Sequence, residues 1–275
     1  MPTTTSVELK SRVHEFWNER SCGETYATGP SERERFETQS RTRYALEPYL
    51  LPFARFSDAA GKDALEIGVG MGADHVELAQ ARPNSLSGLD LTTRAVDHTR
   101  QRLRIYGLNS DLRVSDAEQL PFADESFDFV YSWGVLHHSP NTAQAVREIF
   151  RVLRPGGVAR VMIYHKYSLT GYMLWLRYAL LQGRPWRGLD NIYFHQLESP
   201  GTKAYTVRQA REMFGQFANV VCRVQLCFGD LLEGNVGQRH RGPLLACVKK
   251  IWPRPLLRVL FRNHGLDLLI DAQKS

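Results

Sequence analysis

Leu65-Glu66-Ile67-Gly68-Val69-Gly70-Met71-Gly72-Ala73 is the stretch that decides the fold. Residues 64–67 form an apolar run short enough to be a buried strand, and glycines follow at once. Glycine lets a chain turn sharply out of a strand and lets a ligand approach the main chain, so this is a strand-to-helix loop suited to binding. Helical spacing takes over across 73–81. Gly68, Gly70 and Ala73 also satisfy the G-x-G-x-x-A fingerprint of dinucleotide folds, with Asp90 where a ribose-binding acid belongs. A tight turn without any ligand is the third reading. Taken alone, the loop leaves the three open.

Outward from this loop, strand and helix alternate. Strands are predicted at 85–91, 112–115, 127–132 and 158–164. A helix over 92–106 is closed by Gly107, which suits a left-handed C-cap, and another covers 141–153 before the Pro155-Gly156-Gly157 turn. Such alternation implies right-handed crossovers and a mainly parallel sheet. It resumes later with a helix at 206–217, a strand at 220–228 and a short final strand at 266–272. Before residue 60 the pattern is purely helical. Thr5 with Glu8 and Ser31 with Glu34 have capping-box spacing, and Leu9, Val13, Phe16 and Trp17 share a helical face.

Polar groups recur at successive strand ends, where open α/β sheets bind ligands. Asp90 ends a strand in Gly88-Leu89-Asp90-Leu91 and can accept both ribose hydroxyls. Asp116-Ala117 ends the third strand, where a carboxylate can take an adenine amino group. Ser132 and Trp133 close the fourth, leading into Gly134-Val135-Leu136-His137-His138.

In their order and spacing these segments, together with Glu118-Gln119-Leu120-Pro121-Phe122, Ser126-Phe127-Asp128 and Val152-Leu153-Arg154-Pro155-Gly156-Gly157, resemble class I S-adenosylmethionine-dependent methyltransferases. The nearest subgroup is the type 11 family of small-molecule enzymes. The resemblance runs from about residue 65 to 163. It implies a Rossmann-like, seven-stranded α/β sheet whose last strand is antiparallel, and S-adenosyl-L-methionine as cofactor. It also implies that Gly68, Val69, Gly70 and Gly72 back the methionine part, that Glu66 orients its amino group, and that Asp90 and Leu91 hold the ribose. Asp116 and Ala117 would flank the adenine, and Ser132, Trp133 and His137 would line the methyl-bearing end.

Methyl transfer from a sulfonium asks the protein for alignment and exclusion of water, and for a base only when the nucleophile is protonated. His138 and His165 are the candidate bases, since an imidazole with a pKa of about 6.5 suits a phenol or hydroxyl proton. His137 ranks below them, as a residue packed under the cofactor. Tyr44 and Tyr164 are candidates for orienting a substrate, or are core. No histidine and cysteine spacing suggests a metal.

The domain plan is an N-terminal helical cap (1–60) and a catalytic domain (61–275) carrying insertions at 165–205 and 229–264. The first is rich in aromatic residues and reads as a lid or as packed core. The second carries Arg239, Arg241, Lys249, Lys250, Arg254, Arg258 and Arg262 among apolar residues, with no acid from 235 to 265. That composition suits peripheral contact with an anionic membrane through 239–262, or a solvated helical hairpin.

With 275 residues, 43% hydrophobic and 23% charged, the chain is of ordinary globular composition, and its formal charge of +6 hints at an anionic partner. Four scattered cysteines argue against a disulfide framework, and the absence of a secretory leader or long apolar span makes the cytoplasm the expected compartment. O- or N-methylation of a small molecule is the leading expectation. C-methylation of a membrane-resident quinone or lipid comes second. Nucleic acid ranks lower, for want of an RNA-binding module, and a nicotinamide oxidoreductase is the rival from another reaction class.

Overall fold

A computed structural model describes residues 5–234 and 249–275. Its seven strands are β1 (Asp63–Ile67), β2 (Ser85–Asp90), β3 (Asp111–Val114), β4 (Phe127–Trp133), β5 (Leu153–Tyr164), β6 (Val221–Gln225) and β7 (Asp267–Gln273). They form one sheet in the order β3-β2-β1-β4-β5-β7-β6. β7 alone runs antiparallel, between β5 and β6; the other pairings are parallel. The seven-stranded sheet with an antiparallel last strand is therefore as expected. Strand order reverses at β1, with β2 on one side and β4 on the other, and such a switch point opens a crevice at the carboxyl ends of the strands.

The period-2 alternation of strands divides the core into two layers. Leu65, Ile67, Val130, Val161, Ile163, Leu268 and Ile270 face one way, against α6 (Thr142–Val152) and α9 (Val207–Met213). Ala64, Phe129, Tyr131, Trp133, Met162 and Leu269 face the other, against α3 (Leu50–Ala54) and α4 (Ala73–Gln80). Each helix brings the matching stripe; in α6 it is Ala145, Val146, Ile149 and Val152. α5 (Thr93–Tyr106) starts on Thr92, whose hydroxyl accepts from Ala95 N, and ends on Gly107 at φ 67°.

Three boundaries differ from the sequence reading: α9 ends at Met213, short of 217, β6 ends at Gln225, short of 228, and β5 starts before 158. β5 begins at Leu153, so the Pro155-Gly156-Gly157 turn lies inside it as a register shift opposite Phe127 and Phe129. Gly156 N donates to Lys274 O, and Lys274 N to Gly157 O, which draws the turn into the sheet.

The cap consists of α1 (Ser6–Glu19) and α2 (Glu32–Leu46), the latter opened by a complete Ser31–Glu34 capping box. Arg102 of α5 holds α2 in place. Although buried, its guanidinium donates to Gln39 Oε1 at 2.8 Å, Phe36 O at 2.9 Å and Met71 O at 2.9 Å, tying cap to glycine loop. The first insertion folds as α7 (Leu169–Tyr178) and α8 (Leu189–Gln196), packed on each other around Leu174, Ile192 and Tyr193. Of the second, residues 235–248 with Arg239 and Arg241 lie outside the described residues, and α10 (Arg254–Leu260) follows. Among the described residues, no helix is long and apolar enough to cross a membrane.

Candidate active site

A cavity opens at the carboxyl ends of β1, β2, β4 and β5 and is roofed by the cap. Gly68, Val69 and Gly70 form its floor. A Cβ on Gly68, at φ 86°, would stand 2.0 Å from Val135 Cγ2, whereas one on Gly70 would meet nothing within 4 Å. The first glycine thus serves packing, and the second leaves open space for a ligand.

Asp90 closes one side. Its Oδ2 accepts from Gly70 N at 3.2 Å and its Oδ1 from Thr92 N and Thr92 Oγ1, each at 2.9 Å. Burial pushes this carboxyl above the usual range while the three donors pull it back. The carboxylate therefore shapes the loop as well as facing the cavity.

Glu66 lies deeper, its Oε2 2.8 Å from His75 Nδ1, while His75 Nε2 lies 2.8 Å from Ser110 Oγ. Ser110 gives its hydroxyl proton to Leu86 O at 2.9 Å, so its oxygen accepts from His75 Nε2–H. Burial holds His75 neutral, its pKa down at about 3, and pushes Glu66 well above the carboxylate range. Nδ1 of a neutral ring protonated at Nε2 is an acceptor, so the proton of this contact belongs to Glu66.

Asp116 and Ala117 line the next stretch beside Leu91. Lys10 of α1 bridges Asp116 and Glu118, and Asp116 Oδ1 also accepts from Glu118 N at 2.9 Å. This end of the cavity is thereby latched to the cap.

The far end gathers Trp17, Cys22, Arg43, Glu47, His138, Tyr164 and Glu198. His138 sits on a single helical turn after β4. Its Nδ1 lies 2.8 Å from Ser199 Oγ and 3.1 Å from Thr202 Oγ1. Thr202 gives its own proton to Ser199 O at 2.7 Å, so it can only accept from Nδ1–H, which leaves Nε2 as the free lone pair. That Nε2 stands 3.5 Å from Glu198 Oε2, which also accepts from Tyr164 Oη at 2.7 Å. Glu47 pairs with Arg43 at 3.3 Å, and burial raises its carboxyl.

The remaining sequence candidates stand behind these. Tyr44 is outside the lining; it donates to Asp74 Oδ1 at 3.1 Å, a carboxylate that also accepts from Arg43 and Tyr131. His165 is likewise outside, with Nδ1 3.1 Å from Gly265 O and its pKa lowered by burial. Ser132 donates to Ile67 O at 3.0 Å and braces β4 against β1. His137 is fully buried under Tyr164, ring centroids 3.8 Å apart, with its pKa held well below normal by burial. Gly72 caps α4 at φ 73°. Trp133 reaches the cavity.

Among the described residues, His137, His138 and Glu198 are the one group whose donor atoms could converge on a metal, lying within 4.8 Å of one another. Sequence reasoning missed Lys10, Arg43, Glu47, Asp74 and Glu198. No motif marks Lys10, Arg43, Glu47 and Glu198, since they reach the cavity only through the way the cap and the 197–205 loop fold back over the sheet, whereas Asp74 stands in the first turn of α4, directly after the glycine loop.

Residues 65–161 match the family profile described as a methyltransferase domain. Over that stretch the chain is similar to methyltransferase domains. A fatty-acid O-methyltransferase of Mycolicibacterium smegmatis is 37% identical over 44% of this chain and 43% of its own length. A phthiotriol/phenolphthiotriol dimycocerosates methyltransferase of Mycobacterium tuberculosis is 41% identical over 36% of this chain and 37% of its own. The matches thus span less than half of these relatives. Among solved structures, phospholethanolamine N-methyltransferase 2 of Haemonchus contortus, in complex with phosphomonomethylethanolamine and S-adenosylhomocysteine, shares the fold. It has a TM-score of 0.56 at 18% identity, over 86% of this chain and 52% of that one.

Proposed function

We propose that this methyltransferase domain moves a methyl group from S-adenosyl-L-methionine to an oxygen or nitrogen of a small molecule held under the cap. The observation that carries the reading is one continuous cavity, lined at one end by Gly68, Gly70, Glu66 and Asp90 and at the other by His138 and Glu198. The residues fit the cofactor. Gly70 leaves open space over the loop, Asp90 presents a carboxylate suited to ribose hydroxyls, and Leu91 and Ala117 offer apolar surface suited to adenine.

The cofactor, when bound, supplies an electrophilic methyl group on a sulfonium. The chain's own residues do the rest. Gly68, Val69 and Gly70 with Glu66 hold the amino-acid end. The cap, through Lys10, Val13 and Trp17, excludes water. His138 is the base. Ser199 and Thr202 hold its Nδ1–H, so Nε2 can take the acceptor's proton, and Glu198 then stabilises the imidazolium. Tyr164 orients Glu198. Tyr44 and His165, standing off the lining, have supporting places only.

A lipid-borne acceptor is the second reading, supported by relatives named for fatty-acid and dimycocerosate substrates. The test is incubation with methyl-labelled S-adenosylmethionine and a panel of phenols, alcohols, carboxylic acids and amines, some carrying acyl chains. Labelled product with formation of S-adenosylhomocysteine supports the reading. Tight binding of a nicotinamide cofactor with none of S-adenosylhomocysteine overturns it.

A further inference from the structure

Large apolar side chains exposed to solvent are concentrated in the two insertions. Nine of the thirteen among the described residues lie there, the most open being Leu181 at 73%, Trp186 at 78%, Ile251 at 79% and Val259 at 71%. Singly exposed apolar residues need no explanation, but a cluster in one region does.

The two insertions meet. Tyr172 of α7 packs with Trp252, Leu257 and Phe261 around α10 and shares a 2.8 Å hydrogen bond with His264 Nδ1. Leu176 of α7 and Leu180, Leu181 and Trp186 just beyond it are exposed, as are Ile251, Leu256, Val259 and Leu260 on and beside α10.

Charge in these segments is one-sided. Residues 167–189 contain three Arg and no acid, and residues 235–266 contain seven Lys or Arg and no acid. These ten cations exceed the chain's net charge of +6, so the remainder of the chain is net negative by four. Arg177, Arg184, Lys250 and Arg262 are exposed in the same segments. Exposed apolar side chains interspersed with cations, a tryptophan among them, match the chemistry of an anionic bilayer surface: acyl chains beneath, phosphate headgroups above. A soluble acidic partner would match the cations but not the apolar tip.

We infer that the face formed by α7, the 180–187 turn and α10 docks the protein peripherally on an anionic lipid bilayer. The turn and α10 insert their apolar side chains at headgroup depth while the flanking Arg and Lys meet phosphates. This face does not include the cavity lining, so the inference stands apart from the proposed chemistry.

The test is co-sedimentation of the full chain with vesicles of phosphatidylcholine alone and of phosphatidylcholine with about one-third phosphatidylglycerol. The expected result is binding to the anionic vesicles at least tenfold tighter than to neutral ones, weakened severalfold in high salt. The double variant Leu181→Ser/Trp186→Ser and, separately, Lys250→Glu/Arg262→Glu should each lower it about tenfold or more. Both variants should keep wild-type thermal stability and S-adenosylhomocysteine affinity, so a failure here is distinguishable from failure of the methyltransferase reading. No vesicle binding, or equal binding to both compositions, overturns the inference. So does a concentration-dependent dimer that Leu181→Ser/Trp186→Ser abolishes, which would make the face an interface between copies of the chain.

Discussion

Glu198 Oε2 stands 3.5 Å from His138 Nε2, although the two residues come from different parts of the chain and no motif joins them. His138 is fixed from behind by Ser199 and Thr202, neighbours of Glu198 on the same loop. Lys203 N, donating to His137 O at 3.0 Å, binds that loop to the turn carrying both histidines. The first insertion thus enters the site by its last few residues, while its helices α7 and α8 pack outside the cavity.

If His138 is the base, His138→Ala should lower kcat by about 10²- to 10⁴-fold. Affinity for S-adenosylhomocysteine should change little, because Nε2 serves the acceptor. Glu198→Gln keeps the shape and removes the charge that stabilises the imidazolium, so it should lower kcat. Steady-state rates from pH 5 to 9 test both; wild-type kcat in His138→Ala would remove the histidine from the mechanism.

Burial sets the pH response of stability at His75. Its folded pKa, about 3, lies below the ordinary 6.5, so between those values the unfolded chain binds a proton that the folded one refuses. Stability contributed by this group is therefore present above pH 6.5 and is lost as pH falls toward 3. Glu66 acts in the opposite sense: its raised pKa favours the fold at low pH, and that advantage fades as pH rises. His75→Gln should flatten the decline of Tm on acidification from pH 6.5, as followed by thermal melts. An unchanged profile would contradict the neutral assignment.

Gly68→Ala should be among the most damaging small substitutions. Its Cβ would need to move Val135 and hold φ 86°, a strained conformation for alanine costing on the order of 1–3 kcal/mol before the clash. Adding Val135→Ala should recover the clash component but not the backbone component. Melts of the single and double variants separate the two, and full recovery would show that φ carries no cost here.

The sheet was legible in the sequence because its cues are local. The period-2 pattern of residues 127–133, the Thr92 and Asn141 caps and the Gly107 stop each act within a few residues. The cofactor end was legible for the same reason, since Gly68, Gly70 and Asp90 follow directly on β1 and β2. The acceptor end was not. Arg43 and Glu47 look like ordinary charges on a polar helix, and only the docking of α2 through the buried Arg102 turns them inward. His165 lies at the end of β5 as the alternation predicts, yet its bond to Gly265 O directs it away from the cavity.

The central claim is that the crevice at the β1 and β2 ends binds an adenosylmethionine-type cofactor through Asp90. Calorimetric titration of S-adenosylhomocysteine into wild type and Asp90→Ala tests it most directly. Asp90 also restrains Gly70 and Thr92, so Asp90→Asn, which keeps one acceptor oxygen and exchanges the other for a donor, belongs beside it, each with a melt to confirm the fold. The predicted result is binding by wild type, weakened by about 1–3 kcal/mol in Asp90→Ala and by less in Asp90→Asn. Equal affinity in all three folded proteins would contradict the claim.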